Sequence, residues 1–501
     1  MTWWLWILVV ATAVVLGVII HDITQKRHAI LRNFPLVGHL RYLLESAGPE
    51  LRQYVVADND EELPFSRDQR RWIYASAKSQ NPYFGFGTDN DLSADGYIFL
   101  RHAAFPVVDD SPDDLIPSTK ILGGLHEREH AFRPRSIINT SAMSFGSLSG
   151  PAVEAINRGV ALAGCMQNTG EGGISVHHRH GGDLIFQIGT GYFGARDASG
   201  EFSIERVIES AGLAPVKAIE IKLSQGAKPG LGGVLPAAKV TKEIATARGV
   251  PVGVTVHSPS RHAEFDDIAG LVDFVELIAA ETGLPVGIKS AIGEEAFWHE
   301  LSSYMAASGR GPDFVTVDGG EGGTGAAPGT FSDHVALPFR NAFPVVLSAF
   351  AEHGLHEQIT FFGSGRLGFA TDATVAMAMG VDMINVGREA MMSIGCIQAQ
   401  RCHTGHCPTG VATQNRWLTR GLDPTEKSVR LASYIAAFHH ELRTLSHAMG
   451  AEHPALIDPA QIDFRASTGR LESAISALGI DPAIVDETHR HNLRRLLTEN
   501  D

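Results

Sequence analysis

Short apolar runs recur along the chain from Ser136 onward, and each run ends in Gly, Ser, Asn or Asp. The runs are rich in β-branched residues and are separated by helix-like stretches, so the pattern predicts alternating strands and helices. Eight such units favour a closed parallel (β/α)8 TIM barrel over residues 131–415, with a doubly wound open sheet as the alternative. The runs predicted as barrel strands are 136–139, 165–168, 217–223, 251–256, 285–289, 314–317, 359–362 and 383–386.

An uncharged run of 18 residues, WWLWILVVATAVVLGVII, occupies positions 3–20 and is just long enough to span a bilayer. Its tryptophans would lie at one membrane interface, and basic residues follow the run but do not precede it. We therefore expect a single-pass anchor over residues 1–22 in the inner (cytoplasmic) membrane, with the catalytic domain in the cytoplasm. A cleaved signal peptide is the alternative, but neither a basic n-region nor a small-x-small site is present. The residues concerned are Trp3, Trp4, Trp6, Lys26, Arg27 and Arg32.

Composition narrows the classes of function. The 41 Lys and Arg residues against 56 Asp and Glu residues give a net charge of −15 with no evident basic face, so nucleic acid is not an expected partner. Four cysteines in 501 residues cannot form a dense disulfide framework. Two extensions flank the barrel. Residues 23–130 mix short amphipathic helices with turns, and residues 416–501 have apolar residues at helical spacing.

Glycine and polar residues crowd the predicted strand ends, where a TIM barrel carries its chemistry. Segments such as NTSAMSFGS, QNTGEGG, LSQGAKPGLGG and DGGEGGTGAAPG would let backbone N–H groups approach a ligand closely. The last two ends, GSGRLG and NVGREA, lie where such barrels commonly bind phosphate. GSGRLG also fits a dinucleotide-binding fingerprint, but it follows six earlier units, so phosphate binding is the favoured interpretation.

Three of the four cysteines, Cys396, Cys402 and Cys407, fall within 12 positions, and Pro408 follows them. Thiolates in one short run can hold an iron–sulfur cluster, whereas zinc or structural thiols without a metal are the alternatives. The fourth, Cys165, is predicted to be a small buried residue of the second strand. The HHRH segment at residues 177–180 is interpreted as a structural loop, with a substrate, cofactor or metal contact as the alternative.

The run GCIQAQRCHTGHCPTGVATQ resembles the cluster loop of the FMN-binding synthase domain of glutamate synthases. The segments SAMSFGSLS, NTGEGG, IKLSQGAKPGLGG, GIKS, DGGEGGTGAAP and NVGREAMMSIGC occur in that family's order, so the resemblance covers roughly residues 130–415. It implies FMN at the barrel mouth and a [3Fe–4S] cluster held by Cys396, Cys402 and Cys407. With the apolar run at its start, the chain resembles the short stand-alone branch of the family.

Carried over residue by residue, the resemblance also implies a site. Glu171, Gln225 and Lys228 would attend the substrate 2-oxoglutarate. Asn168 would reach the polar edge of the flavin, and Lys289 would place a cation near flavin N1, where reduction puts negative charge. The residues that would pack on the isoalloxazine through their backbone are Ala142, Met143 and Ser144. The residues that would hold the ribityl phosphate are Gly323, Thr324, Gly325, Gly363, Gly365, Gly387 and Arg388.

Two positions depart from the family pattern GAKPGEGGQLPG. Leu231 replaces a Glu, and Val234 replaces a Gln that helps to hold 2-oxoglutarate; an unpaired polar group of the substrate costs about 1–3 kcal/mol. Neither a glutaminase domain nor a nicotinamide domain is recognisable, so the expected electron donor is a protein such as ferredoxin or a membrane carrier.

The resemblance thus implies an oxidoreductase acting on CH–NH2 donors, which forms glutamate from 2-oxoglutarate and ammonia by hydride transfer from reduced FMN. Two alternatives remain. The same barrel could act on a different 2-oxo acid, imine or amino acid, or it could be a membrane-tethered electron-transfer module.

Overall fold

The computed structural model describes residues 3–25, 28–83, 85–108 and 115–499. Lys26 and Arg27, two of the basic residues expected to flank the apolar run, lie outside the described residues. The chain forms two compact units, Met1–Arg71 and Trp72–Asp501.

The first unit is helical. A helix of 22 residues, Trp3–Thr24, contains the predicted apolar run, and it is long and apolar enough to cross a membrane. Near its end, the buried carboxylate of Asp22 accepts hydrogen bonds from the backbone N–H of Leu36 at 3.0 Å and from Nε2 of His39 at 2.9 Å. These bonds hold the following segment against the end of the apolar helix. The elements that follow are the helices Ala29–Asn33 and Gly38–Leu51 and the π-helical turn Arg52–Val56.

The second unit contains a closed barrel of eight parallel strands, as the alternating pattern predicts. Each strand pairs with the next in chain order, and the last pairs with the first, where Asn385 lies opposite Asn139. The barrel strands are Ile138–Thr140, Met166–Asn168, Asp183–Ile188, Val216–Lys222, Val286–Ser290, Phe314–Asp318, Thr360–Ser364 and Met383–Val386.

One of the eight predicted strands is wrong. The run 251–256 lies outside the barrel. Its Val252 and Val254 are exposed, and Gly253 between them has a φ of +70°, which is not a strand conformation. Its last residue pairs instead in a small hairpin between Val234–Leu235 and Val256–His257. The missing third barrel strand is Asp183–Ile188, which follows the second strand through a 3-10 turn and without an α-helix. A prediction that expects a helix between successive strands therefore misses this strand.

The barrel interior is closed at the N-terminal ends of its strands. Leu122 and Phe132 pair their backbones there, and both side chains pack into a core cluster of the barrel. Gly287 makes room for a large side chain of this cluster, because a Cβ at that position would lie 2.4 Å from the ring of Phe314. The opposite, C-terminal ends of the strands remain open. The cluster consists of Leu122, Met166, Ile185, Ala218, Phe314, Phe362 and Met383.

Helices surround the barrel, and the longest, Pro424–Ala448, packs against Gly150–Ala163. The C-terminal region, predicted to be helical, also contributes two strands to an antiparallel sheet with Ile98–Leu100: Ile462–Arg465 and Leu471–Ser473. The other helices are Arg67–Ala77, Ile204–Ala211, Lys242–Arg248, Ile268–Thr282, Ala296–Ser308, Gly329–His334, Phe339–Ala351, Ala370–Ala378, Arg388–Ser393, Arg416–Thr419, Ala474–Leu478 and Glu487–Glu499.

Candidate functional site

Two of the predicted substrate residues, Glu171 and Gln225, line a small cleft at the open end of the barrel, and Lys228 lies close enough to interact electrostatically with Glu171. Nζ of Lys222, the last residue of the fourth strand, lies 3.1 Å from Oε2 of Glu171 and donates to Oε1 of Gln225 at 2.7 Å. Nε2 of Gln225 in turn donates to Oγ1 of Thr324 at 3.2 Å. Lys222, to which the sequence assigned no role, therefore links the loops that follow the second, fourth and sixth strands.

Three cations surround the carboxylate of Glu171. Burial, which alone would raise the pKa of Glu171, is outweighed by Lys222, Lys228 and Arg248, so its pKa is lowered and the carboxylate stays ionised. Burial and the neighbouring Lys222 lower the pKa of Lys228, and Glu171 opposes them. Around Glu171, positive charge therefore exceeds negative charge.

Arg248 belongs to this cation group but was not predicted. It is the last residue of the helix Lys242–Arg248, and its guanidinium donates to the backbone oxygen of Phe145 at 3.1 Å. It lies over the ring of Phe193, 5.0 Å from the ring centroid, and burial lowers its pKa to about 10. A basic residue before a helix-ending Gly249 is common, so the sequence offered no specific signal for it.

A buried carboxylate lies deeper in the barrel. Glu220 of the fourth strand accepts hydrogen bonds from Asn168 at 2.7 Å, from Gln187 at 2.6 Å and from Thr316 at 2.6 Å. The amide oxygen of Asn168 accepts from the backbone N–H of Gly170 at 3.0 Å. Asn168, expected at the flavin edge, is thus held by both of its amide atoms. The available sequence signal for Glu220 was a Glu between two isoleucines in the middle of a strand.

Lys289, predicted to end the fifth strand, is its second-to-last residue, since the strand extends to Ser290, and it is buried in this polar interior. Its Nζ lies 3.3 Å from Oδ2 of Asp318, which also accepts from the backbone N–H of Gly226 at 3.0 Å. Only glycine fits at position 226, since a Cβ there would lie 1.8 Å from the backbone oxygen of Gly319. The QGAKPG segment is thereby held against the loop that follows the sixth strand.

The residues predicted to hold phosphate cluster where the sixth, seventh and eighth strands end. Burial lowers the pKa of Arg388, Glu389 opposes this shift, and Arg366 adds to it by repulsion. Arg366, in the GSGRLG segment, was not predicted as a site residue. Burial raises the pKa of Glu321, whose carboxylate accepts from the backbone N–H of Phe339 at 2.8 Å. This region therefore brings together two guanidinium groups and the carboxyl groups of Glu321 and Glu389.

Backbone packing brings the predicted glycines into the same region. A Cβ on Gly323 would lie 2.8 Å from Cδ of Arg388, and Gly365 has a φ of +132°. Gly363 is packed against Leu367, Gly387 lies beside Ser141, and Gly325 lies beside Ser147.

The loop of Ala142, Met143 and Ser144 is half-buried and touches the loop after the second strand. A Cβ on Gly170 would lie 2.6 Å from the backbone nitrogen of Ser144.

The cysteine run follows the eighth strand and the short helix Arg388–Ser393. All three thiols are free, and their sulfur atoms do not all lie within 4.8 Å of one another in the part of the chain that the structure describes. The backbone oxygen of Cys402 accepts from Nζ of Lys239 at 2.9 Å, and that of Cys396 accepts from the hydroxyl of Tyr74 at 2.9 Å. Cys165 is buried in the barrel, as predicted.

The two departures from the family pattern differ in position. Leu231 lines the cleft together with Glu171 and Gln225, whereas Val234 is exposed and belongs to the hairpin outside the barrel.

The histidine segment contacts neighbouring protein groups. His178 is buried beside Ser175, and burial lowers its pKa to about 3, while His177 pairs with Glu243 at 3.0 Å. These contacts fit the structural interpretation of the loop.

Residues 112–452 match the family described as a conserved region in glutamate synthase, and the chain belongs to this family. Over 488 residues it is 38% identical to the glutamate synthase large subunit-like protein YerD of Bacillus subtilis, covering 90% of this chain and 93% of that protein. It is 35% identical over 347 residues to the archaeal-type glutamate synthase (NADPH) of Thermotoga maritima, covering 68% of this chain and 65% of that protein. With the archaeal glutamate synthase (NADPH) of Methanocaldococcus jannaschii it shares 36% identity over 311 residues, or 62% of this chain and 58% of that protein.

The chain therefore spans less than two thirds of the length of these two archaeal-type relatives. Among solved structures, a mandelate oxidase with benzoyl-formic acid aligns with 74% of this chain and 86% of its own chain, at 14% identity and a TM-score of 0.43.

Proposed function

We propose that the protein is an FMN- and iron–sulfur-dependent oxidoreductase that forms glutamate from 2-oxoglutarate and ammonia. The observation that carries this proposal is the group of three cations, Lys222, Lys228 and Arg248, around the single carboxylate of Glu171. One ionised carboxylate cannot neutralise three cations, so the cleft suits a substrate with two carboxylates. Membership of the glutamate synthase family supports the same substrate.

Each charged residue has a distinct part in this proposal. Lys228 and Arg248 would bind the substrate carboxylates, and the guanidinium can do so with two parallel hydrogen bonds. Glu171 stays ionised because the surrounding cations lower its pKa. It can therefore hold an ammonium ion beside the 2-oxo carbon and accept a proton as ammonia adds and water leaves. Lys222 and Gln225 would keep Glu171 in place.

The open end of the barrel also fits FMN. Arg366 and Arg388 repel each other in a buried pocket, and a phosphate would relieve that repulsion. The amide oxygen of Asn385, at the end of the eighth strand, is buried without a hydrogen-bond partner among the described residues, which leaves it available to a ligand. Lys289 would provide the cation near flavin N1. Reduced FMN bound here would supply the hydride for the imine carbon.

The cysteine run suits an iron–sulfur cluster better than a single zinc ion. Thiolates on one tetrahedral zinc ion lie about 3.8 Å apart, given Zn–S bonds of about 2.3 Å. At least one pair of the three sulfur atoms is farther apart than that within the described structure, since the three do not all fall within 4.8 Å of one another. A [3Fe–4S] cluster held by Cys396, Cys402 and Cys407 would supply one-electron transfer to the barrel.

A second cleft, of about 470 Å³, lies beside the cysteine run and suits electron delivery. Its apolar lining includes Met392 and Ile397. Three cations, Lys78, Lys427 and Arg430, also line it, and the last two share one carboxylate, that of Glu426. An acidic electron-donor protein such as a ferredoxin has the complementary charge.

Membrane attachment through residues 3–20 completes the proposal. Asp22 fixes the helix Gly38–Leu51 at the end of the apolar helix, through Leu36 and His39. That second helix exposes Leu40, Leu44 and Leu51, whose spacing of four and seven residues places them on one face. An apolar face held at the end of a membrane span suits the lipid headgroup boundary.

Removal of residues 1–22 should therefore release a soluble protein that keeps its flavin. Aggregation without cofactor would show that this segment belongs to the fold and is not an anchor.

A different acid as substrate is the second candidate. Leu231 brings an apolar side chain to the cleft where the family pattern has Glu. This favours a 2-oxo acid with a partly apolar side chain.

One experiment separates the two candidates. The purified protein is reduced without oxygen, and its reoxidation by ammonia with each of several 2-oxo acids is followed by flavin absorbance. Fastest reoxidation by 2-oxoglutarate supports the proposal, and fastest reoxidation by an apolar 2-oxo acid supports the second candidate. Reoxidation by none of the acids, in a protein with bound flavin, would refute both and leave an electron-transfer module.

A further inference from the structure

We propose that His356, Glu357 and His489 form a site for a zinc-class divalent cation at the closed end of the barrel. His356 and Glu357 lie in the turn Leu355–Glu357, just before the seventh barrel strand, and His489 lies on the C-terminal helix Glu487–Glu499. The ion would fasten this helix to the barrel, far along the chain from the cysteine run.

The spacing of the three donor atoms fits one tetrahedral ion. Oε1 of Glu357 lies 2.9 Å from Nδ1 of His489 and 3.4 Å from Nε2 of His356, and all three ligand atoms lie within 4.8 Å of one another. Nitrogen and oxygen ligands about 2.0–2.2 Å from zinc in a tetrahedron are about 3.3–3.6 Å apart. Small side-chain rotations would therefore suffice to bind the ion. Two His and one Glu also form a known zinc ligand set that leaves a fourth position for water.

The surroundings hold the site in place and favour a cation. Nζ of Lys120 donates to the backbone oxygens of His356 at 2.8 Å and Ile359 at 2.9 Å, and it pairs with Asp382 at 3.0 Å. The turn that carries two of the ligands is thus anchored. Glu357 and Asp382 supply two negative charges against the single charge of Lys120.

The site is only partly buried. The side chains of His356 and His489 are 12% and 10% exposed, and that of Glu357 is 28% exposed, so a water molecule can reach the ion. Nδ1 of His356 is buried and has no hydrogen-bond partner among the described residues. A polar atom left unpaired in this way is costly in a purely hydrogen-bonded cluster. Zinc bound through Nε2 would leave Nδ1 unpaired as well, so this cost is the same with and without the ion.

A hydrogen-bonded cluster of one carboxylate and two imidazoles is the competing explanation. The two histidine rings stack with their centroids 5.7 Å apart, and both histidines lower the pKa of Glu357 against the effect of its burial. Such a cluster would also connect the helix to the barrel, but it would not retain zinc.

The test uses the full-length protein with its flavin and iron in place. The protein is washed with a mild chelator and titrated with Zn²⁺, and bound zinc is measured by plasma mass spectrometry together with the thermal unfolding midpoint. We expect about one zinc per chain and a higher midpoint with zinc than without it. Zinc-edge X-ray absorption should show nitrogen and oxygen ligands, whereas sulfur ligands would indicate binding at the cysteines and would overturn the proposal.

Variants assign the ligands. His489→Ala should weaken zinc binding by more than about 100-fold, beyond the usual effect of losing a group that only supports a ligand. Glu357→Gln should also weaken it, while the amide keeps a hydrogen bond to one histidine and so preserves the fold. His491→Ala, an exposed residue on the same helix, is the matched control and should bind zinc like the unmodified protein. No bound zinc, or equal binding by His489→Ala and Glu357→Gln, would leave the hydrogen-bonded cluster as the explanation.

Discussion

The ammonium group of Lys289 lies 3.3 Å from a carboxylate oxygen of Asp318, inside the open end of the barrel. Burial alone would lower the pKa of Lys289, but Asp318 and Glu220 outweigh it, so the pKa is raised and the side chain stays charged. Lys289 is the second-to-last residue of the fifth strand and Asp318 the last residue of the sixth, and these strands are neighbours in the barrel. Asp318 therefore both secures the cation and offsets part of its field at the cofactor pocket.

This pair predicts a change in redox potential. Asp318→Asn should raise the two-electron potential of bound FMN, because Lys289 would face the reduced, negatively charged flavin without its neutralising partner. A stabilisation of about 1.4 kcal/mol corresponds to about 30 mV for two electrons. Reduction against reference dyes measures the shift, and Asp333→Asn, an exposed aspartate, is the control. An unchanged potential in Asp318→Asn would show that the pair does not act on the flavin.

The barrel was predictable because buried parallel strands are apolar and β-branched, and seven of the eight predicted runs overlap barrel strands. The third strand was missed since the chain passes from Asn168 to Asp183 without an α-helix. The run 251–256 has strand-like composition, but only tertiary packing shows that Val252 and Val254 face solvent. Local composition therefore does not distinguish a true barrel strand such as Asp183–Ile188 from an exposed run such as 251–256.

The residues of the candidate site likewise include some that the sequence predicted and some that it did not. Residues at strand ends, such as Glu171 and Lys289, follow from the motif and its place in the barrel. Arg248 reaches the site from the end of a helix, and nothing in its local sequence distinguishes it from a surface arginine. Arg366 lies in the GSGRLG segment, for which phosphate binding was predicted, but the residue itself was not singled out. Their role depends on burial, which only the folded structure determines.

The cation group predicts how the substrate binds. Lys228→Ala should lower kcat/KM for any anionic substrate by about 10-fold to 100-fold, since a hydrogen bond to a charged group is worth about 1.5–3 kcal/mol. FMN content should not change, because Lys228 lies on the substrate side of the proposed site. Lys242→Ala, an exposed lysine, is the control and should behave like the unmodified protein. Equal kinetics in the two variants would place the substrate elsewhere.

The two departures from the family pattern should differ in effect. Leu231 lines the cleft and Val234 does not, so Leu231→Glu should change the preference among 2-oxo acids, whereas Val234→Gln should change it little. The sequence alone suggested the reverse emphasis, on Val234. We expect a shift of about tenfold for Leu231→Glu, equivalent to about 1.4 kcal/mol. The ratio of kcat/KM values for 2-oxoglutarate and an apolar 2-oxo acid measures it, and a larger shift for Val234→Gln would contradict the cleft geometry.

If the cysteine run holds the iron–sulfur cluster, the cluster can be removed by mutation while the FMN stays bound. Cys402→Ser should remove the iron and the cluster's absorbance and electron paramagnetic resonance signal, because a serine is a poor ligand for a multi-iron cluster. Most of the flavin should remain, since the proposed flavin residues lie on the barrel strand ends. Cys165→Ser, at the buried residue just before the second strand, is the control and should keep its iron. Iron retained by Cys402→Ser, or zinc without iron in the unmodified protein, would refute the cluster.

A buried histidine predicts how stability depends on pH. His439 is fully buried on the helix Pro424–Ala448, its Nε2 lies 2.9 Å from Oγ of Ser136, and burial lowers its pKa from 6.5 to about 3. The unfolded chain binds a proton at this residue near pH 6.5, whereas the folded chain does not until about pH 3. The unfolded state therefore binds more protons in this window. Stability from His439 is complete above pH 6.5 and falls as the pH drops towards 3.

The expected loss between pH 7.5 and pH 5.5 is about 1.4 kcal/mol for this one residue. His439→Gln should remove that share of the pH dependence, because glutamine does not titrate and can still bond to Ser136. Urea unfolding at the two pH values measures it, with His440→Gln, the exposed neighbour, as the control. Burial also lowers the pKa values of His453 and His178, so these residues will still make the free energy of unfolding depend on pH in every variant. Equal losses in His439→Gln and His440→Gln would show that His439 does not resist protonation in the folded protein.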